Sequence, residues 1–141
     1  MKRIVLQIDK PDLVPVDGFI RNICDENHIN NYYATLSVPV MRAVEKGVAF
    51  GLEQQKGSEI TVLCDYCASG IVFRVDGLPG FLNNDDLMVA NMLADKVELS
   101  NDASSVQMTF AIRGISSEEA ARRVATLECF YHSPSAVVMQ M

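Results

Sequence analysis

At 141 residues the chain is long enough for one domain that buries roughly two-thirds of its unfolded surface, and 49% hydrophobic with 21% charged residues excludes a disordered chain. A formal net charge of −6 with scattered lysines and arginines argues against nucleic acid as partner, because phosphate binding draws on clustered cations. The start, MKRIVLQIDK, does not resemble a signal peptide, and no run approaches the ~20 apolar residues of a membrane span; a cytoplasmic protein is expected.

Residues 3–8 alternate as a strand, with Ile4, Leu6 and Ile8 on one side. After a turn at Pro11, Val16, Phe19, Ile20, Ile23 and Cys24 fall on one face of a helix, which the segment DENHIN ends. A second helical pattern covers about residues 31–53, carried by Tyr33, Leu36, Val40, Ala43, Val44, Gly47 and Val48. Pro39 interrupts its backbone bonding. Either the helix kinks there or Ser37 caps a new helix with Pro39 in its first turn.

QQKGS is a polar turn. ITVLCDY places Ile60, Val62, Cys64 and Tyr66 on one side, and IVFRVD follows after CASG as its antiparallel partner. GLPGF breaks the chain, NNDD starts a helix through LMVANMLA, and VELS with VQMTFAIR forms a hairpin around NDASS. Val106, Met108, Phe110 and Ile112 share one face of that hairpin. Ser116 and Glu119 then have the capping-box spacing, and Ala120, Val124, Leu127 and Tyr131 line one side of a final helix. That stripe needs a cover, either this domain's own sheet or helices or a homodimer interface.

The order β-α-α-β-β-α-β-β-α predicts an α+β fold: a two-layer α/β sandwich with helices on one face of a mostly antiparallel sheet. Residues 1–141 read as one domain, a core over about 3–112 followed by a helical extension over 113–141. Cys64 and Cys67 form a CxxC, but neither His28 nor His132 belongs to a second ligand pair at zinc-knuckle spacing. They read as two small apolar residues near a hairpin bend, and no metal site is expected.

Three stretches, in order, resemble the small GHKL ATPases, which include histidine-kinase catalytic domains and the anti-sigma-factor serine kinases. Residues 42–51, RAVEKGVAFG, are similar to the family's helix pattern E-A-V-x-N-A-x-x-H-G at Ala43, Val44 and Gly51. Residues 73–81, FRVDGLPGF, are similar to the strand-end motif R-D-x-G-x-G-F with one extra residue. LADKVELS with VQMTF resembles the last helix and terminal hairpin.

The resemblance implies an ATP and Mg2+ site built on a helix glutamate, a magnesium-binding asparagine, an adenine-reading aspartate and a glycine-rich lid. Here the glutamate position is Arg42 and the asparagine position Lys46. A guanidinium is no base near neutral pH, and an ammonium offers magnesium only donors. The adenine-reading position falls on Val75, or on Asp76 if one residue bulges. No glycine lies between Gly80 and Gly114 to form the lid. Arg42 and Lys46, one turn apart, read either as a solvated helix face or as a metal-free anion site; Gly77, Pro79 and Gly80 read most simply as a tight turn.

The expected function is a regulatory protein-binding domain of anti-sigma type with ATP binding and catalysis weakened or lost. Its implied partners are a sigma factor or an anti-sigma-factor antagonist, not nucleic acid or a membrane. The alternative is an active ATP-dependent serine/threonine protein kinase, with Lys46, Asp76, Gly77 and Gly80 holding the nucleotide.

Overall fold

The structure, a computed structural model, describes residues 1–54 and 59–112. Its elements are β1 (Lys2–Gln7), α1 (Val14–Glu26), a 3-10 turn (Asn30–Tyr32), α2 (Tyr33–Glu53), β2 (Glu59–Tyr66), β3 (Gly70–Asp76), α3 (Met88–Leu93), β4 (Lys96–Leu99) and β5 (Ser105–Ala111). The five strands form one antiparallel sheet in the order β1-β2-β3-β5-β4. This is the α+β order expected from the sequence through residue 112. The final helix over 117–131 lies outside the described residues, as does Cys129. Among the described residues no helix is long and apolar enough to cross a membrane.

Strict alternation in the strands sorts the sheet into two faces. Leu6, Ile60, Val62, Cys64, Ile71, Phe73, Val75, Val106, Met108 and Phe110 are buried. They meet Val16, Ile20 and Ile23 of α1 and Leu36, Val40, Val44 and Val48 of α2 in one apolar cluster. Phe73 and Phe110 pack edge to face with ring centroids 6.3 Å apart, a geometry that favours aromatic pairs beyond their buried area. Cys64 belongs to this core, and burial pushes its thiol up to about 12. Cys67 sits in the β2–β3 turn, its Sγ 3.3 Å from Ser69 Oγ.

Pro39 lies inside one continuous helix, so Ser37 opens no new one; Ser37 is instead buried in the second turn of α2. The missing Pro39 amide is tolerated because the proline ring is itself buried, where α2 packs on the core. NNDD also differs in detail. Asn83 Oδ1 accepts the Asp86 amide at 2.9 Å and Asp86 Oδ2 accepts the Asn83 amide at 3.1 Å, a reciprocal cap on a turn that precedes α3. The α-helix itself starts at Met88.

α1 ends without glycine. The Ile29 amide donates to Cys24 O (2.9 Å) and the His28 amide to Asp25 O (3.2 Å), the paired bonds of a Schellman ending. His28 occupies the left-handed position at φ 56°, a conformation that strains a residue with a Cβ. His28→Gly is therefore expected to stabilise the protein by about 0.5–1 kcal/mol, read as a raised midpoint in urea unfolding with an unchanged slope. An unchanged or lowered midpoint would mean that the imidazole compensates for its backbone.

Candidate functional site

The sequence places its candidate residues on α2 and on the segment that leaves β3, and packing decides what lies between them. α2 buries Ala43, Val44, Gly47, Val48 and Gly51 and turns Arg42, Glu45 and Lys46 outward. This follows from the 3.6-residue repeat, since positions 42, 45 and 46 fall opposite the apolar stripe.

Lys46 does not stand free. Its Nζ is 3.2 Å from Asp86 Oδ1, whose side chain is only 10% exposed. Asp86 is held in turn by the reciprocal bonds with Asn83. The ion pair therefore ties α2 to the segment 77–87. Arg42, one turn earlier, is exposed and makes no ion pair or hydrogen bond with another described residue. The two cations do not close on a common pocket: one is neutralised by a carboxylate and the other faces solvent.

β3 separates Val75 from Asp76 just as sharply. Val75 is fully buried on the helix side of the sheet, paired across the strands with Val62 and Val106. Asp76 points to the other face, where its Oδ1 accepts Arg74 Nε at 2.8 Å. Neighbouring residues of a strand must point to opposite faces, so a regular β3 cannot bring Asp76 to the side that α2 covers. Asp76 belongs instead to a shallow depression of about 550 Å³ on the open face, shared with Arg74, Glu98, Ser104 and Gln107.

Gly77 and Gly80 act through the backbone. The Gly77 amide donates to Ser104 O at 2.8 Å and the Gly80 amide to Asp102 O at 2.7 Å, fastening the chain after β3 to the β4–β5 turn. Gly80 has φ +79°, which an L side chain rarely adopts. Gly77 permits a close approach. A Cβ there would lie 3.0 Å from Ile60 Cδ1 and 3.1 Å from Phe81 Cε1. A Cβ at Gly47 would meet the same two side chains, 2.4 Å from Ile60 Cδ1 and 3.4 Å from Phe81 Cε2.

Ile60 and Phe81 thus fill the space between α2 and the chain leaving β3. Leu78, Leu82 and Leu87 continue the filling, all less than a tenth exposed. Segment 77–87 consequently contributes Leu78, Phe81, Leu82 and Leu87 to the core, while residues 79–80 and 83–85 stay exposed. The sequence placed Ile60 on one side of its strand, Phe81 at the end of the FRVDGLPGF match and Asp86 in a helix start, but not their meeting with α2. The one available signal was the N-x-x-D spacing of Asn83 and Asp86, a capping-box variant.

Chemically, the contact between α2 and segment 77–87 presents hydrocarbon, the Lys46–Asp86 ion pair and the exposed Arg42 guanidinium. A triphosphate with magnesium requires oxygen ligands for the metal and free amides or cations for the phosphates; the donor set present does not suit it. Among the described residues no cluster of three or more His, Cys, Asp or Glu could hold a metal ion. No protein-family model matches the chain, and no curated protein matches it.

Proposed function

We propose that the protein is a regulatory binding domain built like the anti-sigma serine kinases, with the nucleotide crevice given over to packing. The observation that carries this reading is the double use of Ile60 and Phe81 against Gly47 and Gly77. The resemblance puts a nucleotide between the helix of residues 42–51 and the glycine turn of residues 77–80, where these two side chains lie.

The Lys46–Asp86 pair supports the same reading. A lysine recruited to phosphate would need to leave a mostly buried carboxylate, and the exchange forfeits a charge-assisted bond. Catalysis by Arg42 is disfavoured by its chemistry, since a guanidinium accepts no proton near neutral pH. What remains is a domain that acts by association. Its acidic balance suits a protein partner rather than a nucleic acid. The resemblance names the class of partner: a sigma factor, or the antagonist that competes for its inhibitor.

Mg-ATP at millimolar concentration is expected to leave the melting temperature within about 1 °C, because ligand at ~100 times its dissociation constant would add about 2.7 kcal/mol and move it by several degrees. A shift of several degrees abolished by EDTA would overturn the loss of nucleotide binding and favour the active kinase. The partner reading is tested separately, by titrating purified sigma factors and antagonist domains of the same organism in a calorimeter. Absence of binding to every one, with or without ATP, would overturn it.

A further inference from the structure

A helix at a protein surface normally turns its apolar side inward and its polar side to water. α3 does the reverse. Of its six residues only Ala90 is buried, and only Asn91 is polar. Met88 is 59% exposed, Met92 77% and Leu93 37%, with Val89 partly exposed beside them. Met88 and Met92 stand one turn apart on one side of the helix, and Val89 with Leu93 makes a second row next to them. No other described element exposes more than two large apolar side chains.

The support of this face is fastened. Leu87 and Ala90 are buried, Asp86 is paired with Lys46 of α2, and Asn83 and Asp86 cap each other. The apolar rows are therefore presented by an ordered element, which lowers the ordering cost of binding.

Charge says what fits there. From Val75 to Asp95 the sequence has four aspartates and no Lys, Arg or His. Asp76 and Asp86 are neutralised by Arg74 and Lys46. Asp85 is exposed and makes no side-chain ion pair or hydrogen bond with another described residue. Asp95, also exposed, only accepts the Ala111 amide at 2.6 Å, which leaves its charge uncompensated; the adjacent Lys96 pairs with Glu98. Asp85 lies three residues before Met88 and Asp95 three after Met92, so a carboxylate stands at each end of the apolar rows. On the neighbouring α2 the outward Arg42 and Glu45 offset one another.

We infer that the exposed face of α3 is a docking surface for a basic amphipathic helix of a partner protein. A helix spaces apolar side chains one turn apart at ~6 Å, the spacing of Met88 and Met92. Its flanking lysines or arginines meet Asp85 and Asp95, whereas an acidic segment or an anionic lipid surface is repelled. Methionine side chains adapt to the shape they meet. This surface is separate from the contact between α2 and segment 77–87 and goes beyond the sigma-factor reading.

The test uses the full-length protein and three labelled 18-residue peptides, followed by fluorescence anisotropy. One is an amphipathic helix of leucine and lysine, the second has glutamate for lysine, and the third scrambles the first. The leucine–lysine helix is expected to bind one to one with a dissociation constant of about 10 µM or below, and more weakly as salt rises. Met92→Lys and Met92→Gln should each weaken it about tenfold or more, and Asp85→Asn about threefold. Leu63→Lys, on the open face of the sheet, should leave it unchanged. Met92→Gln should melt within about 1 °C of the parent.

Equal affinity of the parent and Met92→Gln, or of the lysine, glutamate and scrambled peptides, would overturn the assignment. Loss of binding in Leu63→Lys would move the site to the open face. A Met92→Gln protein that melts several degrees lower would mean that the methionines are packed within the molecule, and a sedimenting dimer that it dissociates would mean that they cover a second copy. The sigma-factor titration is a separate result, since either can fail while the other succeeds.

Discussion

Val75→Asp is expected to unfold the protein or remove most of its stability. Val75 is completely buried in the middle of the sheet, between Val62 and Val106. Its surroundings are hydrocarbon, and the nearest polar side chain along the strand, Asp76, points to the opposite face. A carboxylate there must be neutralised by an upward pKa shift of about 3 units or more, which costs ~4 kcal/mol near neutral pH. A typical domain has only about 5–15 kcal/mol to lose.

The measurement is urea unfolding at pH 7 and at pH 4.5. The sign is fixed by the raised folded-state value of the new carboxyl: stability should be lower at pH 7 than at pH 4.5, relative to the parent at each pH. This variant also examines the family resemblance, because Val75 is one of the two positions that could read adenine. Combining this acid with Arg42→Glu and Lys46→Asn, the residue types of the GHKL pattern, would create a nucleotide site only if the packing between α2 and segment 77–87 opened to receive it. A well-folded Val75→Asp protein with near-parental stability would show that the helix side of β3 admits water or a ligand. The packed-crevice reading would then fail.

Gly70→Ala is expected to be nearly as damaging, for a reason of backbone proximity. An added Cβ would lie 2.0 Å from Phe110 O and 2.6 Å from the Ile112 amide nitrogen. Neither atom is the end of a flexible side chain; both are backbone, one in β5 and one in the residue that follows it. Relief requires β3 and β5 to separate at the Gly70–Ala111 pair. That move also disturbs the Ile112 amide bond to Ser69 O and the buried Ile71 and Phe110 beside it. Losing two ladder bonds and loosening two large core side chains is expected to cost about 3 kcal/mol or more. Gly18→Ala is the control: a Cβ there meets nothing within 4 Å, and replacing a mid-helix glycine should stabilise by roughly 0.5–1 kcal/mol. A Gly70→Ala midpoint within experimental error of the parent would show that the β3–β5 contact is looser than drawn.

Much of the fold was legible because it rests on local periodicity. Ile60, Val62 and Cys64, or Val106, Met108 and Phe110, announce a half-buried strand by alternation alone. Val16, Ile20 and Ile23 announce a helix by their spacing. Those patterns gave the element order through residue 112 and the two hairpins β2–β3 and β4–β5, while the pairings of β1 with β2 and of β3 with β5 came from the assembled sheet. The sequence also fixed the side-chain chemistry of Arg42 and Lys46, which no packing can convert into a base or an oxygen ligand for magnesium.

Tertiary structure decided the relations between distant positions. Whether Pro39 breaks α2 depended on the packing that carries the helix past it, and that packing is not written in the neighbouring residues. The Lys46–Asp86 ion pair joins residues forty positions apart, and Ile60 reaches both Gly47 and Gly77 only because β2 runs beneath α2. Asp76 and Val75 look interchangeable in sequence, one residue apart, yet the pleat sends them to opposite sides of the sheet. Periodicity states which side of an element is apolar; only the assembled sheet and helices state what that side meets, because contacts between residues far apart in the chain arise from packing and not from local preference.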